Sequence, residues 1–235
     1  MGYIKENPIE QVEKPEKNKF VGTYYTSDEV NQLISLTKGT KLEIAVIFAC
    51  FYGIRRSECV GLRWSAFDFE NNIFHINHTV VLTPVNGKRT LVTKDAAKTD
   101  ATIRSMPLSA DIKKRLLEIK CMQENNKKRL RKNYHNQWSD YLMVDEKGDL
   151  TSPDYVTNAF RRLVKKNKMR HIRFHDLRHT CASLLLNKGK GKVTMKDIQE
   201  WLGHSDYKTT ANIYAHLDLS SKYSSLETLD ALIEI

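Results

Sequence analysis

Long apolar runs are absent from this sequence of 235 residues. No stretch approaches the roughly 18 consecutive apolar residues that a membrane-spanning helix requires. The residues that follow Met1 are polar, among them Lys5, Glu6 and Asn7, so they lack the apolar core of a signal peptide. We therefore predict a soluble protein that is not exported and that lies in the cytoplasm.

Cysteine is also scarce, with four residues in the whole chain. None of them forms the Cys-x-x-Cys pairs that characterise zinc sites and redox motifs. Two lie within apolar segments, where a reduced thiol packs as a small hydrophobic side chain. We expect buried, reduced thiols, with no disulfide and no metal, at Cys50, Cys59, Cys121 and Cys181.

Acidic residues are too few to balance the basic ones. The chain has 38 Lys and Arg against 28 Asp and Glu, which gives a net charge of +10. Residues 161–173 contain seven basic side chains and no acid, and residues 111–132 contain nine against three acids. Positive charge concentrated in this way attracts a polyanion such as nucleic acid. The alternative, which charge alone leaves open, is that these runs are solvated helix faces.

The apolar pattern predicts a mainly helical α+β domain after an N-terminal linker. Residues 1–22 show no apolar period, and a helix start signal follows at Thr26. Between residues 73 and 107 the period changes to two, with a hairpin turn at Asn86-Gly87. We expect one small antiparallel sheet in that region, with strands at 73–76, 80–83, 90–93 and 102–107. The predicted helices begin at Thr26 and continue at 42–51, 55–62, 109–132, 152–166, 175–187, 194–202, 207–215 and 221–232.

Two histidines and an arginine lie close together at the predicted start of one helix. A three-residue step places His175 and Arg178 on the same helix face. The four-residue spacing of His175 and His179 also matches the helical zinc motif His-Glu-x-x-His. However, Asp176 stands where that motif has Glu, and no third ligand is signalled nearby. Besides a cationic helix face and a zinc site, these residues are also compatible with a surface histidine beside a solvent-exposed arginine.

An arginine and a tyrosine occupy two further helical positions. Arg55 stands at a predicted helix N-terminus, where the positive end of the helix dipole favours an anion such as a phosphate beside it. A Leu-Gly-His sequence ends a later helix at His204, and Tyr214 lies in the next one. Taken alone, Tyr214 is equally typical of a core aromatic residue whose hydroxyl bonds to a neighbour.

Together these stretches resemble the tyrosine recombinase (phage integrase) family, and they look like the integrases of conjugative transposons and temperate phages. In that family an arginine follows Gly-Leu or Gly-Ile and precedes Ser-Glu, and a lysine of the β-hairpin region precedes threonine. A His-x-x-Arg box, a Leu-Gly-His motif and a tyrosine follow in that order. The matching positions here are Arg55, Lys98, His175, Arg178, His204 and Tyr214.

The resemblance implies a site-specific recombinase that breaks and rejoins DNA without a metal ion or other cofactor. Arg55 and Arg178 would hold the non-bridging oxygens of the scissile phosphate, and His204 would add a hydrogen bond. The reaction would pass through a 3′-phosphotyrosyl bond and serve the integration and excision of a mobile element. The implied partners are double-stranded DNA at recombination sites, further copies of the chain in a tetramer, and an accessory excision factor.

The resemblance also assigns the proton transfers. Tyr214 would be the nucleophile, and because a phenol has a pKa of about 10 it needs a base, for which His175 is the candidate. Lys98 would protonate the departing 5′ oxygen as the general acid.

Further cations are candidates for contacts with the DNA backbone. Phosphate contacts supply affinity and little sequence discrimination. Surface lysines are more often only solvated, which is the alternative at each position. The candidates are Lys88, Arg89 and Lys94 on the predicted hairpin, and Arg161, Arg162 and Lys165 in the basic run before His175.

The resemblance divides the chain into three parts. Residues 1–22 would be the linker from an upstream core-binding domain, residues 23–216 the catalytic domain, and residues 217–235 a tail helix. The tail has an apolar stripe that packs either on its own domain or on a neighbouring protomer. The stripe consists of Leu226, Leu229, Leu232 and Ile233.

Two other functions remain open at this point. A type IB topoisomerase would use the same residue types, although the short distance from the Leu-Gly-His motif to Tyr214 favours a recombinase. A DNA-binding module without catalysis is the second alternative, although every residue that the family's chemistry needs is present.

Overall fold

The structure is a computed structural model that describes residues 23–95, 103–188 and 193–203, together with Val12. No helix in these ranges is long and apolar enough to cross a membrane. The predicted linker, except Val12, and the predicted helices at 207–215 and 221–232 lie outside the described residues.

Three helices open the domain, as the sequence predicts: α1 (Ser27–Thr37), α2 (Glu43–Tyr52) and α3 (Arg56–Val60). The start of α1 is fixed by a capping box. The Thr26 hydroxyl accepts a hydrogen bond from the Glu29 amide, and the Glu29 carboxylate accepts one from the Thr26 amide. Helix α2 is apolar and buried on nearly every side, so it forms the centre of the core.

The strands of the described residues form two small sheets, where the sequence predicts one. Strand β2 (Ile73–Ile76) pairs antiparallel with β1 (Phe67–Asp68) on one edge and with β5 (Arg104–Pro107) on the other. Both edges of β2 are therefore occupied, and the next two strands pair only with each other. They are β3 (His78–Val85) and β4 (Lys88–Asp95). The prediction of a single sheet was wrong for this reason, and the two-residue strand β1 was too short to predict.

The hairpin between β3 and β4 turns at Asn86-Gly87, which confirms the predicted position. Both residues have positive φ, at 50° and 75°, as a two-residue turn of the I′ type requires. Most of the hairpin is exposed, whereas its base at His78 and Val80 is buried against the domain.

Four helices complete the described part of the chain, each close to its predicted bounds. They are α4 (Ala110–Leu130), α5 (Pro153–Lys166), α6 (Asp176–Lys188) and α7 (Met195–Leu202). Helix α6 packs against both α2 and α7. These three helices bring together segments that are about 150 residues apart in the sequence, and the candidate site lies where they meet.

All four cysteines are free thiols. Cys50, Cys59 and Cys181 are buried as predicted, and burial raises the pKa of each thiol. The prediction was wrong for Cys121, which is exposed because it lies on a solvent-facing side of α4.

Candidate active site

Arg55 stands immediately before α3 and is held there by Glu58. The Arg55 amide donates to Glu58 Oε2 at 2.7 Å, and Arg55 Nη1 donates to Glu58 Oε1 at 2.8 Å. Arg55 Nη2 reaches across to the carbonyl of Gly203 at 3.3 Å. The side chain is 36% exposed, so its guanidinium is both oriented and open to a ligand.

Arg178 lies on α6 and is only 2% exposed. Its Nη1 donates to the carbonyl of Gly53 at 2.5 Å, and its Nη2 donates to the carbonyl of Leu202 at 2.6 Å. Burial, and then the positive charges of Arg55 and Arg104, lower the pKa of Arg178 to about 9. The side chain therefore remains a cation at neutral pH.

The two predicted arginines meet at one turn. Arg178 holds the carbonyl of Leu202, the last residue of α7, and Arg55 holds the carbonyl of Gly203, the next residue. The predicted His204 follows directly. The fold thus places two residues 123 positions apart in the sequence beside the start of the Leu-Gly-His motif.

His175 directly precedes α6 and is exposed. The pKa of His175 is lowered, first because protein atoms exclude water from part of its ring, and then because His179 and Arg178 lie nearby. An imidazole whose pKa lies below the ordinary value is neutral at pH 7, with one ring nitrogen free to accept a proton. His175 is therefore in the form that a general base requires.

Among the described residues, the histidine pair lacks the partners that a zinc site needs. The rings of His175 and His179 lie 5.6 Å apart and nearly perpendicular. Within the described ranges, no three side chains of His, Cys, Asp or Glu are grouped closely enough to hold a metal ion. Asp176, which stands at the Glu position of the zinc motif, instead pairs with Arg173, whose amide and guanidinium both donate to its carboxylate. That pairing closes the turn that carries His175.

Two charged residues of the site were not predicted, namely Glu58 and Arg104. Arg104, at the start of β5, has a buried guanidinium whose Nη2 lies 3.1 Å from Glu58 Oε2. Glu58 had a usable signal, because it stands three residues after Arg55 at a helix start, where a carboxylate caps the preceding amide. Arg104 had no local signal, since its role depends on contacts with residues that are distant in the sequence.

The remaining predicted catalytic residues stay predictions. Lys98, His204 and Tyr214 lie outside the described residues. Lys98 falls between the end of β4 at Asp95 and the start of β5 at Arg104. His204 follows the last described residue.

The six candidate contacts with the DNA backbone are all exposed. In the described part of the chain, the three cations on α5 form no ion pair, whereas Arg89 pairs with Asp154 of α5 at 2.9 Å. Arg56 at the start of α3 also approaches Asp154, at 3.7 Å, so the start of α5 lies beside both the hairpin and α3. All six candidates are thereby on two adjoining elements: Lys88, Arg89 and Lys94 on the hairpin, and Arg161, Arg162 and Lys165 on α5.

Comparison with known proteins decides the family. A sequence model of the phage integrase family matches residues 23–220, which is most of the chain. The chain belongs to the phage integrase family. The resemblance inferred from the motifs is thus confirmed.

Two similar proteins of the phage integrase family are longer than this chain. It is 27% identical over 213 residues to a tyrosine recombinase XerC-like protein of Caldanaerobacter subterraneus, covering 88% of this chain and 54% of the relative. It is 26% identical over 238 residues to the ICEBs1 integrase of Bacillus subtilis, covering 98% of this chain and 60% of the relative. The chain therefore spans little more than half the length of these two integrase-family proteins.

A solved structure confirms the fold of the integrase-family domain. The integrase of transposon Tn1549, in complex with transposon right-end DNA, superimposes with a TM-score of 0.70 at 23% identity. The match covers 96% of this chain and 72% of that one. The mainly helical α+β class with small antiparallel sheets is therefore the fold of this part of the family.

Proposed function

We propose that this chain carries the strand-cleaving and rejoining centre of a site-specific DNA recombinase that integrates and excises a mobile element. One observation carries the proposal: Arg55 and Arg178 converge on the consecutive carbonyls of Leu202 and Gly203. Membership of the phage integrase family supports the reaction class. The similar proteins include an integrase and a structure of a transposon integrase on DNA.

The two guanidinium groups are suited to phosphoryl transfer. Attack on a phosphodiester builds negative charge on the non-bridging oxygens, and planar guanidinium groups match that geometry with paired hydrogen bonds. Arg178 is fixed by two backbone carbonyls and Arg55 by a carboxylate. Such preorganised donors need little rearrangement as charge develops, and the loss of one donor typically lowers the rate about 10²–10³-fold.

The proton transfers follow from the remaining assigned residues. The Tyr214 hydroxyl attacks phosphorus and gives its proton to neutral His175, while the bond from phosphorus to the 5′ oxygen breaks. Lys98 supplies a proton to that departing oxygen. The 3′-phosphotyrosyl bond replaces the broken ester bond with a new one of similar energy, so a 5′-hydroxyl of another strand can reverse the step. No metal ion or other cofactor takes part in this scheme, and His204 adds a hydrogen bond to the phosphate.

The DNA contacts are assigned to the exposed cations of the hairpin and α5. Both elements adjoin through Asp154, and both lie next to α3, which begins directly after Arg55. Their charges would neutralise backbone phosphates on either side of the scissile one. The assembled form would be a tetramer on two duplexes, with an accessory factor for excision.

The ends of the chain are assigned to the linker and the tail. The start of the domain contacts the helix of the site, because the Tyr25 amide donates to the Thr180 hydroxyl of α6. The Tyr25 hydroxyl donates to the carbonyl of Arg170, shortly before His175. A linker from an upstream DNA-binding domain would thus enter beside the catalytic residues. Residues 217–235 would form a tail helix that docks on a neighbouring protomer.

A nicked suicide substrate tests the proposal. Loss of the short strand 5′ of the nick prevents religation, so the covalent adduct accumulates and migrates slowly on a denaturing gel. We expect an adduct with the wild-type chain, also in the presence of a chelator, and none with Tyr214→Phe. A DNA-binding module without catalysis would give no adduct with either protein. Relaxation of supercoiled DNA that lacks a second recombination site would identify a topoisomerase instead.

A further inference from the structure

Glu58 binds two arginines at the same time. Its Oε1 accepts from Arg55 Nη1 at 2.8 Å, and its Oε2 accepts from the Arg55 amide at 2.7 Å and from Arg104 Nη2 at 3.1 Å. The side chains of Glu58 and Arg104 are only 5% and 8% exposed, whereas that of Arg55 is 36% exposed. The carboxylate is therefore shared between one buried cation and one accessible cation.

The charges of this cluster explain why two arginines are useful. If Glu58 paired only with Arg55, the pair would be neutral, and a phosphate would compete with the carboxylate for the guanidinium. With Arg104 present, the buried pair Glu58–Arg104 is neutral by itself, so the positive charge of Arg55 remains available. Burial raises the pKa of the Glu58 carboxyl, and Arg104 and the Arg55 amide lower it by more, so the group is ionised at neutral pH.

Arg104 also lies against the turn that both catalytic arginines hold. A Cβ placed on Gly203 would be 2.9 Å from Arg104 Nη1 and 3.2 Å from Arg104 Cδ. The carbonyl of the same Gly203 accepts the hydrogen bond from Arg55 Nη2. Arg104 thus contacts both the carboxylate and the turn between which Arg55 is oriented.

We propose that Arg104 is a positioning residue. It balances the charge of Glu58, so that Glu58 orients Arg55 while the positive charge of Arg55 stays available to the scissile phosphate. Arg104 acts in this account through Glu58 and the turn at Gly203, not by contact with the DNA backbone. This inference rests on the proposed function, because it assigns a role within the same site.

Charge rescue separates this role from simple packing. Arg104→Gln keeps a hydrogen-bond donor beside Glu58 but removes the charge, and we expect cleavage of the suicide substrate to slow about 10–100-fold at saturating protein. Arg104→Lys keeps the charge and should stay within about 10-fold of wild type. The double variant Glu58→Gln with Arg104→Gln removes both charges and should cleave faster than Arg104→Gln alone.

Noncovalent affinity for uncleaved DNA, measured with each change in a Tyr214→Phe background, should vary by less than about threefold, because the orientation of Arg55 matters most in the transition state. Thermal unfolding checks that each variant is folded. If Arg104→Gln does not fold, the lysine variant and the double variant carry the test by themselves, and both must cleave within about 10-fold of wild type.

Three results would overturn the role of Arg104: wild-type cleavage by Arg104→Gln, equally slow cleavage by the lysine and glutamine variants, or a double variant no faster than Arg104→Gln. Failure of the proposed function gives a different result, because the wild-type chain itself would then form no adduct. A wild-type adduct combined with any of the three results removes this inference and leaves the proposed function intact.

Discussion

Gly53 is the residue at which three elements of the site come into contact. It ends α2 with φ of +60°, and Arg178 donates to its carbonyl. A Cβ at this position would lie 2.2 Å from Leu202 Cδ2 and 3.5 Å from Arg178 Cγ. The glycine is therefore required by both backbone conformation and space, and it sets the distance between α2 and the helices that carry Arg178 and the turn.

Replacement of Gly53 by alanine should destabilise the domain strongly. We expect Gly53→Ala to lower the free energy of unfolding by about 2–4 kcal/mol, from backbone strain together with a clash in a packed core. Gly39→Ala is the matched control, because Gly39 also has a positive φ, of +73°, but its Cβ would meet nothing within 4 Å. Denaturant unfolding measures the loss in both variants, and equal losses would contradict close packing around Gly53.

The lowered pKa of His175 predicts how the rate of cleavage depends on pH. A base must be neutral, and His175 stays neutral until the pH falls below its own pKa, which lies under the ordinary value of about 6.5. Single-turnover cleavage should therefore be independent of pH in the neutral range and decline only below about 6.5. His175→Asn should cleave at least about 10²-fold more slowly, and its rate should no longer show this decline at acid pH, the acid limb of the profile. An acid limb centred above the ordinary histidine pKa would exclude His175 as the base in this environment.

At the scale of single elements, α7 matters because its last residue and the next one provide the carbonyls that the arginines hold. The helix begins with a capping box, in which the Thr194 hydroxyl accepts from the Asp197 amide and the Asp197 carboxylate accepts from the Thr194 amide. The cap fixes where α7 starts, and the short helix transmits that position to Leu202.

Loss of this cap should affect both stability and activity. We predict that Thr194→Ala lowers the free energy of unfolding by about 1 kcal/mol and slows cleavage several-fold. Ser152→Ala removes the side-chain cap of α5, which carries neither of the carbonyls that the arginines hold, so it should cost similar stability at an unchanged cleavage rate on saturating DNA. Unfolding curves and single-turnover rates distinguish the two. Equal effects of both variants on the rate would show that α7 does not position the site.

Helix α5 is the element for which we predict the strongest electrostatic contribution to DNA binding. Neutralising Arg161, Arg162 and Lys165 to glutamine should weaken binding uniformly across DNA sequences. It should also reduce the slope of log affinity against log salt by about 0.9 for each phosphate that the variant no longer neutralises. Titrations at several salt concentrations, in a Tyr214→Phe background, measure this slope.

The control for α5 removes the same charge from α4 and the turn that follows it. Helix α4 pairs through Arg115 with Glu43 at the first residue of α2, whereas the site lies at the other end of α2. Replacing Lys127, Lys128 and Lys132 by glutamine should therefore leave the salt slope unchanged. A fall in slope with this variant, and none with the α5 variant, would place the DNA against α4 instead of α5.

The sequence was sufficient for most elements because local signals decide them. The helix start signal at Thr26 and the Asn86-Gly87 turn each act over a few residues, and the structure confirms both. Sheet pairing is decided at long range. The pattern therefore identified strands but not that β2 has β1 and β5 on its two edges, which leaves the hairpin separate.

At the scale of the whole molecule, the same distinction applies to the site. Arg55, His175 and Arg178 were found because each belongs to a short motif with a known order along the chain, and the fold brings the two arginines to one turn. Arg104 was missed because its significance arises only when β5 is placed beside Glu58 and Gly203. Short motifs thus specify the groups that react, whereas three-dimensional packing specifies the groups that hold them.

The central claim is that cations from distant parts of this chain surround one reactive phenol. Mass spectrometry of the covalent adduct, after digestion of both protein and DNA, tests this most directly. We predict one modified peptide in which Tyr214 carries a nucleotide through its 3′ phosphate. An adduct on any of the other nine tyrosines or on serine, a linkage through the 5′ phosphate, or no adduct would contradict the account.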